Sequence, residues 1–213
     1  MIFKNLKGEV ALETKHNASF FVFEGIDGSG KTTQANMLAE YLRQKGVEVL
    51  LTKEPTKETP ESEKIRKVLR KELMISTKEL QILFAEDRRA HLKNSVIPAL
   101  ESGKTVISDR YVFSSLAYGL QECEKQFLIQ INENFILPTK TFMIDVSPAW
   151  GMEKMEKRGE KKEFFEEKEK LEKIRKEYNL LAKEFESIEI INGERPIQEI
   201  HQEIINILNK YIR

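Results

Sequence analysis

The chain has one cysteine in 213 residues, Cys123. That excludes a disulfide framework and any cysteine-based zinc centre. There is no charge excess of either sign: 35 Lys and Arg stand against 35 Asp and Glu, a net charge of +0. No global field therefore draws the chain to nucleic acid or to an anionic membrane. No apolar run reaches membrane-spanning length, and the opening MIFKNLKGEVALETKH lacks the apolar core of a secretion signal. No internal repeat and no Gly/Ser/Pro linker divides the sequence. A cytoplasmic protein is expected, with no nucleic-acid or membrane partner. Its length suits one large α/β domain with a substantial core.

What is present is alternation. Short apolar runs at 20–23 (FFVF), 47–52 (VEVLLT), 104–108 (KTVIS), 141–146 (TFMIDV) and 188–191 (IEII) read as strands. Helical patterns lie between them. Ala35, Leu38, Ala39 and Leu42 recur at i, i+3, i+4, i+7 after the first strand, with Gly46 as the stop. Further helices are expected at 61–74, 77–101 (Leu80, Leu83, Phe84 and Leu92 forming its apolar face), 114–119, 122–132 and 148–157. A long helix running to residue 186 and a last one opened by Pro196 complete the pattern. This order predicts an α/β fold: a five-stranded parallel sheet flanked by helices. Residues 1–18 form an extension, in which Ile2, Leu6, Val10 and Leu12 could line one face of an added hairpin turning at Lys7-Gly8. Residues 19–213 form the main domain.

The first strand runs into Gly25, Ile26, Asp27, Gly28, Ser29, Gly30, Lys31 and Thr32, which match G-x-x-x-x-G-K-[ST], the phosphate-binding P-loop. Glycines there let backbone N–H groups turn inward around a polyphosphate. The lysine places a charge on the β and γ oxygens, and the threonine hydroxyl is a Mg²⁺ ligand. With Thr33 these residues are expected to cradle a nucleoside triphosphate, helped by the partial positive charge of the helix that follows.

In parallel sheets ligands bind beyond the carboxyl ends of the strands. Lys53-Glu54-Pro55 and Asp109-Arg110-Tyr111 both follow strand ends, so they should converge with the P-loop. Lys53, Arg88 and Arg110 are then cations for an acceptor phosphate, and Asp109 is a second acid for Mg²⁺. The plainer alternative is an Asp109–Arg110 ion pair capping the strand. Phe84, Arg88 and His91 share one helix face. Spacing alone favours Phe84 in the core and Arg88 in a surface pair, with His91 packed or exposed. Residues 153–170 are dense in both charges. In a P-loop protein such a stretch suits a mobile lid, at about 153–166, that would deliver Arg158 as a transition-state cation.

Several segments together resemble the thymidylate kinase family: FEGIDGSGKTTQ, TKEP, LFAEDRRAH and SDRYVFSSLAYG, with FMIDVSPAWGMEKM and INGERP in the expected order. The resemblance covers about residues 19–210. It implies Mg-ATP-dependent phosphorylation of dTMP to dTDP for dTTP synthesis, by a homodimer. It also implies roles for particular residues. Asp27 would meet the acceptor sugar hydroxyl, Phe84 would stack on thymine and Arg88 would bond its O4, against the spacing-only preference. Lys53 and Arg110 would hold the acceptor phosphate, and Ser115 would lie near the base. Tyr118 would exclude a ribose hydroxyl, and Asp109 would reach Mg²⁺ directly or through water. Lys31, Arg158, Arg110 and Asp27 would form the catalytic group. The chain departs from the family pattern at Lys53, usually Arg, in the loop 54–59, and at Gly28, where one branch carries an arginine. Another deoxynucleotide or deoxynucleoside kinase is the nearest alternative. A nucleotide-binding switch is a more distant one, because no guanine-type N-K-x-D motif follows a strand.

Overall fold

A computed structural model describes residues 1–14, 18–157, 159 and 164–210, the side chains of 164–167 apart. Five strands form one parallel sheet: β3 (Phe20–Glu24), β4 (Val49–Lys53), β5 (Thr105–Asp109), β6 (Lys140–Asp145) and β7 (Ile188–Asn192), in the order β4-β5-β3-β6-β7. The P-loop strand β3 is central and every residue of it is buried. Its uninterrupted run FFVFE follows from being covered on both faces. Phe20 and Val22 enter one apolar cluster with Val106, Met143 and Leu116, whereas Phe21 and Phe23 enter a second with Ile107, Phe142, Ile144 and Ile191. Period-two alternation along the strand sends these residues to opposite faces.

Helices α1 (Lys31–Gln44) and α9 (Ile197–Leu208) cover the second face through Ala35, Leu38, Leu42, Ile200, Ile204 and Leu208. Among the elements that complete the fold are α2 (Pro60–Leu69), α3 (Thr77–His91), α5 (Val112–Gly119), α6 (Lys125–Asn132), α7 (Pro148–Glu156) and α8 (Phe164–Glu184). Capping boxes start two of them, Thr59 with Ser62 on α2 and Ser76 with Glu79 on α3. Because all five strands are parallel, Glu24, Lys53, Asp109 and Asp145 end on one edge, and in register Lys53 pairs with Asp109.

Several sequence-based bounds shift for local reasons. The helix expected over 77–101 is interrupted by a π turn, Leu92–Val96, before α4 (Ile97–Glu101). Pro98 has no N–H to donate and crowds the preceding turn, and the wider turn just ahead of it accommodates that. The second strand starts at Val49 because the Val47 N–H closes the end of α1 on the Leu42 carbonyl at 3.0 Å. Helix α2 stops at Leu69, short of residue 74, where Lys71 takes a left-handed φ of 61°. Of the expected apolar face only Leu92, just past the end of α3, is buried in the core. Gln81, Ala85, Asp87, Arg88 and His91 are buried, whereas Leu80, Leu83 and Phe84 are only partly so.

The N-terminal hairpin exists, β1 (Ile2–Lys4) against β2 (Val10–Glu13), with Gly8 in the turn at φ 80°. Its expected inward face is corrected in part. Phe3 pairs with Leu12 and faces inward, the register shift after Phe3 sets Val10 opposite Lys4 on the other face, and Leu6 and Leu12 pack beside the core. Ile2 and Val10 are left 57% and 56% exposed.

Ile204 is fully buried under α1 and far in sequence from the strand ends. Ile204→Ala should lower the unfolding free energy by about 2–5 kcal/mol. A denaturant titration with unchanged slope checks this, and a loss under about 1 kcal/mol would contradict the packing described.

Candidate active site

The loop after β3 wraps toward α1. Helix α1 begins at Gly30, φ 93°, with no side-chain cap and no acidic residue in its first turn. Its free N–H groups and dipole therefore suit an anion. Lys31 Nζ donates to the Ile26 carbonyl at 2.7 Å and to Ser29 Oγ at 3.4 Å. Burial, then the nearby Arg110 charge, lowers the Lys31 pKa to about 7. Thr33 lies exposed in the first turn of α1, beside Thr32.

Gly28 has φ +79°, and a Cβ there would sit 2.1 Å from the Gly151 carbonyl oxygen of α7. A Cβ on Gly151 would in turn sit 2.5 Å from the Asp27 carbonyl. The two backbones touch through two glycines, so no arginine fits at position 28. Arg158 lies outside the described residues, as do residues 160–163 of the expected lid stretch.

At the neighbouring strand end, Thr32 Oγ1 donates to Asp109 Oδ2 at 2.5 Å, and Lys53 Nζ stands 3.7 Å from the same oxygen. Lys53 is 60% exposed, so this pair contributes little by itself. Asp109 Oδ1 is buried with no partner among the described residues. A buried carboxylate oxygen without a donor is costly unless a cation meets it. With the Thr32 hydroxyl alongside, the donor set fits Mg²⁺, which takes few protein ligands and shares its shell with phosphate and water.

The Asp109–Arg110 pair considered from sequence does not form among the described contacts; Arg110 turns to the P-loop instead. Its Nη2 donates to Asp27 Oδ1 at 2.6 Å and to the Tyr118 hydroxyl at 3.3 Å. Its Nη1 reaches Ser114 Oγ at 3.0 Å and the Gly25 carbonyl at 3.2 Å, and the Tyr118 ring lies 5.2 Å from the guanidinium. Arg110 has a left-handed φ of 75°, a conformation that costs about 1–3 kcal/mol in a non-glycine residue. Its N–H to the Phe23 carbonyl and its own carbonyl from Ser108 Oγ hold the turn in place.

Behind Arg110 is Glu24, fully buried at the end of β3. It accepts from the backbone N–H groups of Tyr111 and Ser114, from Ser114 Oγ and from the Tyr178 hydroxyl of α8, at 2.5–3.0 Å. Burial raises the carboxyl pKa, with Arg110 and these donors opposing.

Arg88 is buried, contrary to its spacing-only placement at the surface. Nε donates to Glu54 Oε2 at 2.8 Å, Nη1 to Asn132 Oδ1 at 2.6 Å and Nη2 to Ser115 Oγ at 3.0 Å. Glu54 Oε1 meets His91 Nδ1 at 3.0 Å, and His91 Nε2 meets Thr52 Oγ1 at 2.7 Å. Phe84 lies one turn before Arg88, half-buried and outside both core clusters. Asp87 ties down the altered loop, taking the Thr56 N–H at 2.7 Å and the hydroxyls of Thr56 and Thr59. Glu24, Asp87, Asn132 and Tyr178 were missed from sequence, because their partners lie far along the chain; Glu54 was placed at a strand end but without a partner.

The site thus joins a glycine-rich loop at a helix N-terminus, a metal-competent pair and two buried or half-buried arginines, Arg88 and Arg110. The family model for thymidylate kinase matches residues 23–204. The chain belongs to the thymidylate kinase family. A probable thymidylate kinase of Thermococcus gammatolerans is 40% identical over 202 residues, 91% of this chain and 97% of the relative. One of Pyrococcus abyssi is 39% identical over 195 residues, 89% and 95% of the two chains. The thymidylate kinase of Fervidobacterium nodosum is 41% identical over 201 residues, 91% and 100%. The family expected from the motifs is the family found.

Lys31 provides a check that needs no substrate. Its folded pKa, about 7, lies below its ordinary 10.5. Between those values the unfolded chain binds the extra proton, so stability should rise with pH across that window. Lys31→Met should remove this rise. Unfolding midpoints of the two proteins compared from pH 6.5 to 9.5 test it, and parallel curves would contradict a depressed lysine.

Proposed function

We propose that the chain transfers the γ-phosphoryl group of ATP to the 5′-phosphate of dTMP, giving ADP and dTDP. The observation that carries the choice of acceptor is the buried Arg88, held on three sides beside Ser115 and one helical turn from the half-buried Phe84. A generic ATPase has no use for such a pocket, whereas a flat ring with carbonyl edges does. The three bonds leave two of the five Arg88 N–H groups for a base oxygen.

The acceptor phosphate is already anionic, so no strong base is needed. Its oxygen forms the new bond to the γ-phosphorus as the bond to the β-phosphate oxygen breaks and ADP leaves. The chain's task is positioning and charge neutralisation. Lys31 leaves the Ile26 carbonyl for the phosphate oxygens, whose charge restores its proton. Arg110, with Lys53 at the strand edge, holds the acceptor phosphate, and Asp27 orients both Arg110 and the acceptor sugar. Tyr118, stacked on Arg110, excludes a ribose 2′-hydroxyl. Thr32 and Asp109 would hold Mg²⁺, which supplies charge neutralisation across the phosphates when bound. Since Gly28 leaves no room for an arginine, the remaining cation comes from the lid, at Arg158, and closure of residues 153–166 excludes water.

We also place the chain in the cytoplasm as a homodimer. Among the described residues no helix is long and apolar enough to cross a membrane, and the lone Cys123 is an unpaired thiol. Leu69, Met74 and Ile82, around the end of α2 and along α3, are exposed apolar side chains that a second subunit would cover. Sedimentation velocity should give twice the 24.8 kDa chain mass; a monomer at micromolar concentration would overturn the pairing.

A coupled ADP-release assay across nucleoside monophosphates should show dTMP turned over faster than UMP, CMP or AMP, with dUMP next. Equal turnover of UMP or AMP would sink the assignment. In the same assay Arg158→Ala should lower kcat by about 100-fold or more with a smaller change in the KM for dTMP. A change confined to KM would move Arg158 from the transition state to binding.

A further inference from the structure

Residues 1–14 lie outside the span matched by the family model, and the transfer reaction makes no direct use of them. The hairpin they form is a closed unit. The Met1 amino group donates to the Thr14 carbonyl at 2.8 Å, and Asn5 Oδ1 accepts the Lys7 and Glu9 N–H groups at 2.9 and 3.0 Å. Two polar contacts tie it to one short stretch of the main domain, residues 132–137, which runs from the end of α6 toward β6. The Leu137 N–H donates to the Lys4 carbonyl at 2.6 Å. Lys7 Nζ pairs with Glu133 Oε1 at 3.0 Å. Phe3, 3% exposed, shares an apolar cluster with Phe135 and Ile136.

The same stretch touches α3. Buried Asn132 offers its Oδ1 to Arg88 Nη1 at 2.6 Å while its Nδ2 donates to the Leu128 carbonyl at 2.8 Å. The Phe135 ring lies 5.7 Å from the Arg88 guanidinium and 5.3 Å from that of Arg89. Three acceptors fix the plane of Arg88. Glu54 is anchored by the end of β4 and Ser115 by α5, whereas Asn132 ends α6, at the start of an irregular connection. Connections of that kind are the less constrained part of a fold unless something covers them. The hairpin covers this one.

We propose that the N-terminal hairpin braces the acceptor-base subsite: by fixing residues 132–137 it sets the plane of Arg88, and so the fit of thymine. Phe3 and Lys7 are positioning residues that act through this stretch. The proposal rests on the reading of Arg88 as the base contact, and the test separates the two.

In the full-length chain, Phe3→Ala is compared with Ile204→Ala, a core truncation on the opposite face of the sheet. A misplacement of about 1 Å can cost roughly 100-fold in a well-aligned site, so a partly loosened Arg88 should raise the KM for dTMP by about three- to tenfold. The KM for ATP should stay within about twofold, and Phe3→Leu should restore the dTMP value. Ile204→Ala should lower the melting temperature with both KM values unchanged. Should Phe3→Ala fail to fold, Lys7→Glu places like charges at Glu133 on the surface and should raise the KM for dTMP alone, by about twofold. A Phe3→Ala protein that melts earlier with an unchanged KM for dTMP overturns the brace, as does a rise shared equally by Ile204→Ala. Arg88→Lys is the internal control. If it leaves the KM for dTMP unmoved, the base contact itself is wrong and the brace falls with it. If it moves that KM and Phe3→Ala does not, the brace alone is overturned.

Discussion

Much of this molecule is arranged around one carboxylate that water does not reach. Glu24 ends the central strand, and charge at a buried position is tolerated only when its lone pairs are met. Here they are met by α5, through Tyr111 and Ser114, and by α8, through Tyr178. The carboxylate therefore joins the P-loop strand to a helix on the acceptor side and to the helix that follows the lid stretch. Arg110 lies against this cluster, and its attraction offsets part of the desolvation of Glu24. Deleting one member of such a set leaves another stranded, typically at a cost of about 3–5 kcal/mol. Arg110 is bonded to Asp27 in front and, through Ser114, to the Glu24 cluster behind.

A second buried set has the same construction. Glu54 takes Arg88 on one oxygen and His91 on the other, and His91 continues to Thr52 on the strand. The inward face of α3 is thus polar where an ordinary core helix is apolar. The stability given up by not filling that space with hydrocarbon is exchanged for a guanidinium of fixed orientation, which suits recognition of a planar ring. The two sets lie at the carboxyl ends of β3 and β4, on either side of the end of β5.

The divide between what could and could not be read from the sequence follows from this. Contiguous signals were legible: the loop 25–32, the strand-end residues Lys53, Asp109 and Arg110, and the alternation that gives a five-stranded parallel sheet. Those patterns are local, or depend only on strands being parallel. Partnerships were not legible. Tyr178 meets Glu24 across 154 positions, and Asn132 meets Arg88 across 44. Arg88 itself reads as a surface residue by its charge, and only its acceptors explain its burial. Phe3 was passed over for the same reason, since the residues that share its cluster, Phe135 and Ile136, lie far along the chain.

The contact between Gly28 and Gly151 has a consequence for how the enzyme can be built. Two carbonyls occupy the space that side chains on these residues would need, so the loop and α7 cannot rotate past one another. Helix α7 is then seated against the loop at Gly151, within the first turn after its Ser147-Pro148 start. A chain that carried its arginine on the loop would need this helix in a different place. Whether position 28 can carry a side chain and where the helix lies are therefore one architectural choice, made at two glycines.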